Sequence, residues 1–284
     1  MVGEWVGVLT QAGIYAIVVL ALQLALRSGS FSVMHASLLG VGAYVTGFCE
    51  MTLGMNGWLG GAIAILAAAV VGLVAAILLT RLEGLFFAIG TLALGEMLSF
   101  AVQVIPNFGG AGGLSGISLS TTGWWVAAAV VVVAIVVILW ERTNGGLAVY
   151  VVGKDPVVAA SLGLRVRLSR IIIFTVSSAI AGLAGVLYAH YVGLIQPPDL
   201  AFSAETNLLL FLVVGGVDTP IGALAGTFGI SILFQLLSIS QLDRYWIFGV
   251  LLVVIVILRP RGIIPRMTVK ARGVDALLTE SVEA

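Results

Sequence analysis

Apolar residues run through this chain in long blocks separated by short polar connections. A helix needs roughly 20 apolar residues to cross the hydrocarbon core of a bilayer, because backbone groups cannot be left unpaired in lipid. At that length the blocks predict spans over about 8–26, 33–53, 59–80, 85–105, 122–140, 170–193 and 244–258, the last being short by the same criterion. The apolar stretch between Glu205 and Ile239 is interrupted by GGVDTP at 215–220. It is too long for one straight span and short for two, so it predicts two tightly joined or partly re-entrant helices. The longest polar connection is 141–169.

Composition agrees with this pattern. A mean hydropathy of +1.19, with 61% hydrophobic and 9% charged residues and 36 glycines, is that of an all-α polytopic transmembrane protein. The lone cysteine, Cys49, has no partner for an intramolecular disulfide. The amino-terminal MVGEWVGVLTQ holds Glu4 and no Lys or Arg, which argues against a cleaved signal, so the first apolar segment is expected to stay.

Charge placement adds an orientation. Arg27, Arg81, the group Arg142, Lys154, Arg165, Arg167 and Arg170, and the tail from Arg259 to Arg272 fall after alternate spans, and cytoplasmic loops are enriched in such residues. The amino-terminus is therefore expected outside and the carboxyl-terminus in the cytoplasm. Parity then requires 205–239 to begin and end on the outer side, with Arg244 as an exterior cation. The expectation is about nine hydrophobic crossings, or seven plus a re-entrant pair. They form one transmembrane domain over 1–265, with 141–169 a cytoplasmic loop and 266–284 a cytoplasmic tail.

Within that loop, DPVVAASLGL at 155–164 reads as a short helix. Asp155 is an N-cap, Pro156 occupies the first helical position, and Gly163 is a stop. A helix this short persists only when packed against something, because isolated helices under ~12 residues are marginal. It could lie on the lipid headgroups. The small apolar knobs Val157, Val158, Leu162 and Leu164, with no strongly basic polar face, favour docking of a cytoplasmic partner instead.

Six segments in order carry a resemblance. They are FSVMHASLLGVGAYVTG at 31–47, GLFFAIGTLALGEM at 84–97, DPVVAASLGL, SSAIAGLAGVLYAHYVGLIQP at 177–197, LVVGGVDTPIGALAG at 212–226 and LRPRGI at 258–263. Together they make the chain similar to the permease subunits of ATP-driven importers for branched-chain amino acids. The resemblance implies a permease that pairs with a second homologous permease subunit and works by alternating access in the bacterial cytoplasmic (inner) membrane. It implies two cytoplasmic ATPase subunits, an extracytoplasmic solute-binding protein, and coupling to the ATPases through Asp155, Val158, Ala159, Leu162 and Gly163. The chain departs from the family pattern at Pro156 and Ala160, where acidic residues are more usual, and at Asp218, which replaces a glycine before Thr219.

Such a subunit needs no nucleotide site, and no phosphate-binding loop is legible. Gly153-Lys154 is followed by Asp155, and Ala148 stands where that loop needs a glycine. No Ser/His/acid set or metal-ligand spacing suggests an enzyme, a cofactor or a metal, and nothing suggests nucleic acid.

Ionisable residues inside spans are functional candidates because their burial is costly. Glu96 is the clearest, in a segment that Gly84, Gly90 and Gly95 are expected to interrupt, so Thr91, Gly95 and Glu96 are candidates for the translocation path. The competing reading is that Glu96 braces a neighbouring helix through a hydrogen bond. Glu50 is read as interfacial, His35 and His190 as helix-to-helix hydrogen-bond partners, and the glycine-rich 105–118 as a packed cap or a flexible connection. Gly182 with Gly185, and Gly222 with Gly226, mark helix-packing surfaces. A urea or short-amide permease, a sugar permease and an ion-coupled secondary transporter are the alternatives, but the last should show an internal repeat and a buried charge constellation, and neither is evident.

Overall fold

The computed structural model describes residues 2–236, which form a helical bundle. In chain order the helices are α1 (Val2–Arg27), α2 (His35–Met51), α3 (Gly57–Leu79), α4 (Leu85–Val104), α5 (Gly123–Glu141), α6 (Asn144–Lys154), α7 (Pro156–Ser161), α8 (Val166–Val192), α9 (Phe202–Gly215) and α10 (Pro220–Leu236). By length and composition α1, α3, α4, α5 and α8 can each cross a membrane. α9 and α10 are bent by 116° at their junction, as the GGVDTP interruption predicts, and add a sixth span if taken together. The expected span at 244–258, exterior Arg244, the closing LRPRGI and the tail 266–284 lie outside the described residues.

α8 lies at the centre, packed on α1, α2 and α3. α1 is buried almost continuously from Ala12 to Ala25. α3 and α5 instead turn Leu66, Val70 and Val74, and Val132, Ile135 and Val136, outward, as apolar helices do toward lipid.

The bundle has two chemically distinct ends. At one, Tyr191 near the close of α8 donates its hydroxyl to Gly7 O in α1, and Glu50 near the close of α2 meets His190. Trp58 and Trp125, both at least half exposed, stack edge to face at 5.8 Å there, as interfacial aromatics do. At the other end α1 and α5 finish side by side, Arg27 pairing with Glu141. Arg167 at the start of α8 reaches Thr80 and the Ile77 carbonyl at the close of α3. Every Lys and Arg among the described residues belongs to this second, basic end.

Two sequence expectations need correction. Residues 141–169 are not one loop with a single short helix. α6 occupies Asn144–Lys154, its amino-terminus capped by the Thr143 hydroxyl, which accepts from Gly146 N at 3.3 Å. α4 is not interrupted: it runs unbroken through Gly90 and Gly95, and Gly84 precedes it as the N-cap at φ +56°. The fold is all-α but for one detail: 105–118, after two 3₁₀ turns, enters a small antiparallel ribbon. Its strands β1 (Leu114–Ser115) and β2 (Leu194–Ile195) pair Leu114 with Ile195 and Ser115 with Leu194.

Candidate functional site

At the basic end α7 has the geometry its sequence predicts. The Asp155 carboxylate accepts from Val157 N at 2.9 Å and Val158 N at 3.0 Å, satisfying two of the amides that a helix start leaves unpaired. Gly163, at φ +81°, ends the helix, and Leu164 N returns to the Ala159 carbonyl at 3.0 Å. Ala159 is fully buried and anchors the turn. Val157, Val158 and Leu162 are exposed, Val157 and Leu162 by 77% and 67%. The neighbouring Lys154 reaches Asp218, in the turn between α9 and α10, at 3.4 Å. Arg27 and Lys154 both lie over the Tyr150 ring, at 5.2 and 5.5 Å.

Inside the bundle two helices begin at mid-depth. α2 starts only at His35, after the non-helical residues 28–34, and α9 starts at Phe202, after a turn at 197–200 that dips in from the opposite end. Both starts are held by α4 and by each other. Thr91 Oγ1 accepts from Val33 N at 3.0 Å, and Glu96 Oε1 accepts from Phe202 N at 2.7 Å. The fully buried Glu205, on α9, accepts from Ala36 N at the start of α2. Ser37 donates to the Leu200 carbonyl at 2.7 Å, and Ser99 to the Pro197 carbonyl at 3.1 Å. Each carboxylate thus faces the positive end of a helix dipole and meets its unpaired amides, which offsets the cost of burying it.

The three path candidates therefore come together with α2 and α9. Thr91 is fully buried, and a Cβ on Gly95 would lie 2.7 Å from Ser37 Oγ. Glu96 is bonded to the start of α9, the bracing arrangement that its sequence position leaves open.

Next to this junction lies a cavity of about 490 Å³ between α1, α2, α8, α9, α10 and the 197–200 turn. Its wall combines Leu39, Leu208, Phe211 and Phe234 with Tyr15, Tyr188, Asn207 and Asp199. The Asp199 carboxylate accepts from Gln196 N at 3.0 Å and bonds the Tyr188 hydroxyl. Burial nonetheless holds its carboxyl above the usual carboxylate range, a rise that those two bonds partly oppose.

The packing glycines occupy close crossings within the chain. A Cβ on Gly185 would sit 2.0 Å from the Leu39 carbonyl oxygen of α2, and one on Gly182 would sit 2.5 Å from Ala68 Cβ of α3. Gly222 and Gly226 face Gly215 across the bend between α9 and α10. His35 Nε2 is 3.3 Å from Ser177 Oγ on α8. Glu50 does more than sit at an interface: its Oε1 is 2.6 Å from His190 Nε2, and its Oε2 accepts from Ser118.

Asp199 and Glu205 escape a reading of the sequence alone. Basic residues mark the topology, whereas the signal for Asp199 is an isolated acid after Pro197-Pro198 between two apolar blocks. Glu205 sits at the edge of an apolar block, where an interfacial place is the default.

The model of the family described as "Branched-chain amino acid transport system / permease component" matches residues 5–258. The high-affinity branched-chain amino acid transport system permease protein LivM of Escherichia coli K12 is 27% identical over 92% of this chain and 70% of its own length. The autoinducer 2 import system permease protein LsrC of Yersinia pestis (strain Pestoides F) is 28% identical over 71% of this chain and 62% of its own. No solved structure matches. With the family model covering nearly the whole chain, and a helical bundle carrying several apolar spans, this multi-pass membrane protein belongs to the branched-chain amino acid permease family of ABC transporters.

Proposed function

We propose that this chain is the membrane-spanning permease subunit of an ATP-driven importer for branched-chain amino acids, working by alternating access beside a second permease subunit in a bacterial cytoplasmic membrane. Its partners on this reading are two ATPase subunits at the basic end and a solute-binding protein at the opposite, outer end. The basic end is then cytoplasmic, in keeping with the placement of its Lys and Arg residues.

The observation that carries the reading is α7. A short helix, capped at both ends and anchored by Ala159, holds Val157, Val158 and Leu162 out into solvent at the basic end. Such residues are the natural anchors for a protein partner, since each fully buried side chain of this kind contributes about 1.5–3 kcal/mol. Asp155 and Gly163 fix the shape of the segment, Ala159 seats it on the permease, and Val158 and Leu162 are presented to the partner. α7 packs on α6 and α8, so a push on it is expected to move α8, which lines the cavity through Tyr188; the exposed Lys154–Asp218 pair adds only a weak tie to the α9–α10 turn. Thr91, Gly95 and Glu96 serve the path from behind, by holding those starts in place.

Co-purification decides between this and a secondary transporter. Leu162→Asp is expected to abolish recovery of the ATPase subunits while the permease remains folded in the membrane. Uptake that persists with no ATPase bound would sink the importer reading. The similarity to an autoinducer 2 import permease favours one competing cargo, so the same membranes are to be tested with leucine and with autoinducer 2. Uptake of autoinducer 2 alone would reassign the substrate and keep the mechanism.

A further inference from the structure

Inside the bundle, four carboxylates have a clear counterpart. Glu141 pairs with Arg27 and Glu50 with His190, while Glu96 and Glu205 meet the starts of α9 and α2. Asp199 differs. It receives one backbone amide and one tyrosine hydroxyl, and no Lys, Arg or His is among the described residues lining the cavity it faces. A half-buried carboxylate without a cation carries a standing desolvation cost, which a positive charge entering the cavity relieves. The same wall offers aromatic faces, Tyr15 and Phe211 with centroids 6.2 Å apart, and the aliphatic Leu39 and Leu208. Aromatic faces attract ammonium groups, and aliphatic side chains accept an apolar body.

We propose that this cavity is a solute-holding site within the permease, in which the Asp199 carboxylate is the counter-ion of the solute's ammonium group and Leu39, Leu208 and Phe211 receive its apolar part. The inference rests on the importer reading and adds the place and the charge by which the permease itself recognises its cargo. Asn207, on the same wall, offers an amide to the solute's carboxylate.

The test uses the complete transporter and two readouts. In the first, Asn207→Cys is treated with cationic and anionic methanethiosulfonates of similar size; the native Cys49 is buried. The cationic reagent is expected to react about tenfold faster or more, since a cleft of one sign concentrates counter-ions, and Asp199→Asn should remove that preference. Equal rates for the two reagents with Asp199 intact would overturn the site, whatever happens to transport. In the second readout, Asp199→Asn should cut leucine uptake about tenfold with all subunits still assembled, because asparagine keeps an oxygen for Gln196 N and loses only the charge. Unchanged leucine uptake in that variant would also overturn the proposal. If the unmodified transporter moved no leucine yet kept the reagent preference, the substrate reading would fall and the cation site would stand.

Discussion

At the scale of single residues, the bundle interior is organised by acids that face helix starts. Helix starts normally recruit a cap from the residue just before them, as Asn56, Thr143 and Asp155 do for α3, α6 and α7. α2 and α9 take theirs from distant helices, Glu205 and Glu96, and so convert a local need into a tertiary tie. Glu96→Gln keeps a hydrogen-bond acceptor and loses the charge facing the α9 dipole, a loss of about 1 kcal/mol. The expected outcome is a lower uptake rate with the ATPase subunits still bound, measured as transport per assembled complex. Normal uptake would reduce Glu96 to a brace without consequence for transport.

At the scale of elements, glycines decide which helices can touch. Gly185→Ala forces a Cβ to within 2.0 Å of a backbone carbonyl, so α8 and α2 must separate or the chain must bend. A loss of about 1–3 kcal/mol is expected, the usual range for overpacking. Gly229, also helical, has nothing within 4 Å, and Gly229→Ala should be neutral or stabilising by about 0.5–1 kcal/mol because alanine restricts the unfolded chain. Thermal unfolding in detergent should separate the two variants in opposite directions. Hydropathy made the long spans legible to within a few residues, because a lipid-crossing helix announces itself by length alone. It failed at α6, where Asn144-Gly145-Gly146 reads as a loop, although Thr143 in front of it was a usable cap signal. It also placed the start of the second span two residues early, because Val33 and Met34 are apolar but lie in the non-helical segment before α2. The partners of Glu96 and Glu205 were out of reach, since both bonds join positions more than one hundred residues apart.

At the scale of the whole molecule, the two ends are stabilised by different chemistry. The basic end rests on a buried ion pair between Arg27 and Glu141, whose Oε1 also accepts from Gln23 at 3.0 Å. Both side chains are nearly enclosed, at 3% and 10% exposure, so breaking the pair leaves a charge with no water to answer it. Glu141→Gln should cost about 3–5 kcal/mol, far more than a surface ion pair such as Lys154–Asp218, and should show as a large fall in melting temperature. A small change there would mean that water reaches Arg27.

The opposite end is fastened by backbone instead. The ribbon of Leu114–Ser115 with Leu194–Ile195 ties the connection after α4 to the connection after α8, and glycine makes the fit possible: a Cβ on Gly113 would lie 2.2 Å from the Ile195 oxygen. This clasp keeps the tops of four rods from spreading apart. On the importer reading, an opening at that end is expected away from the ribbon, on the side of the cavity lined by α1 and α10, with the ribbon as its hinge.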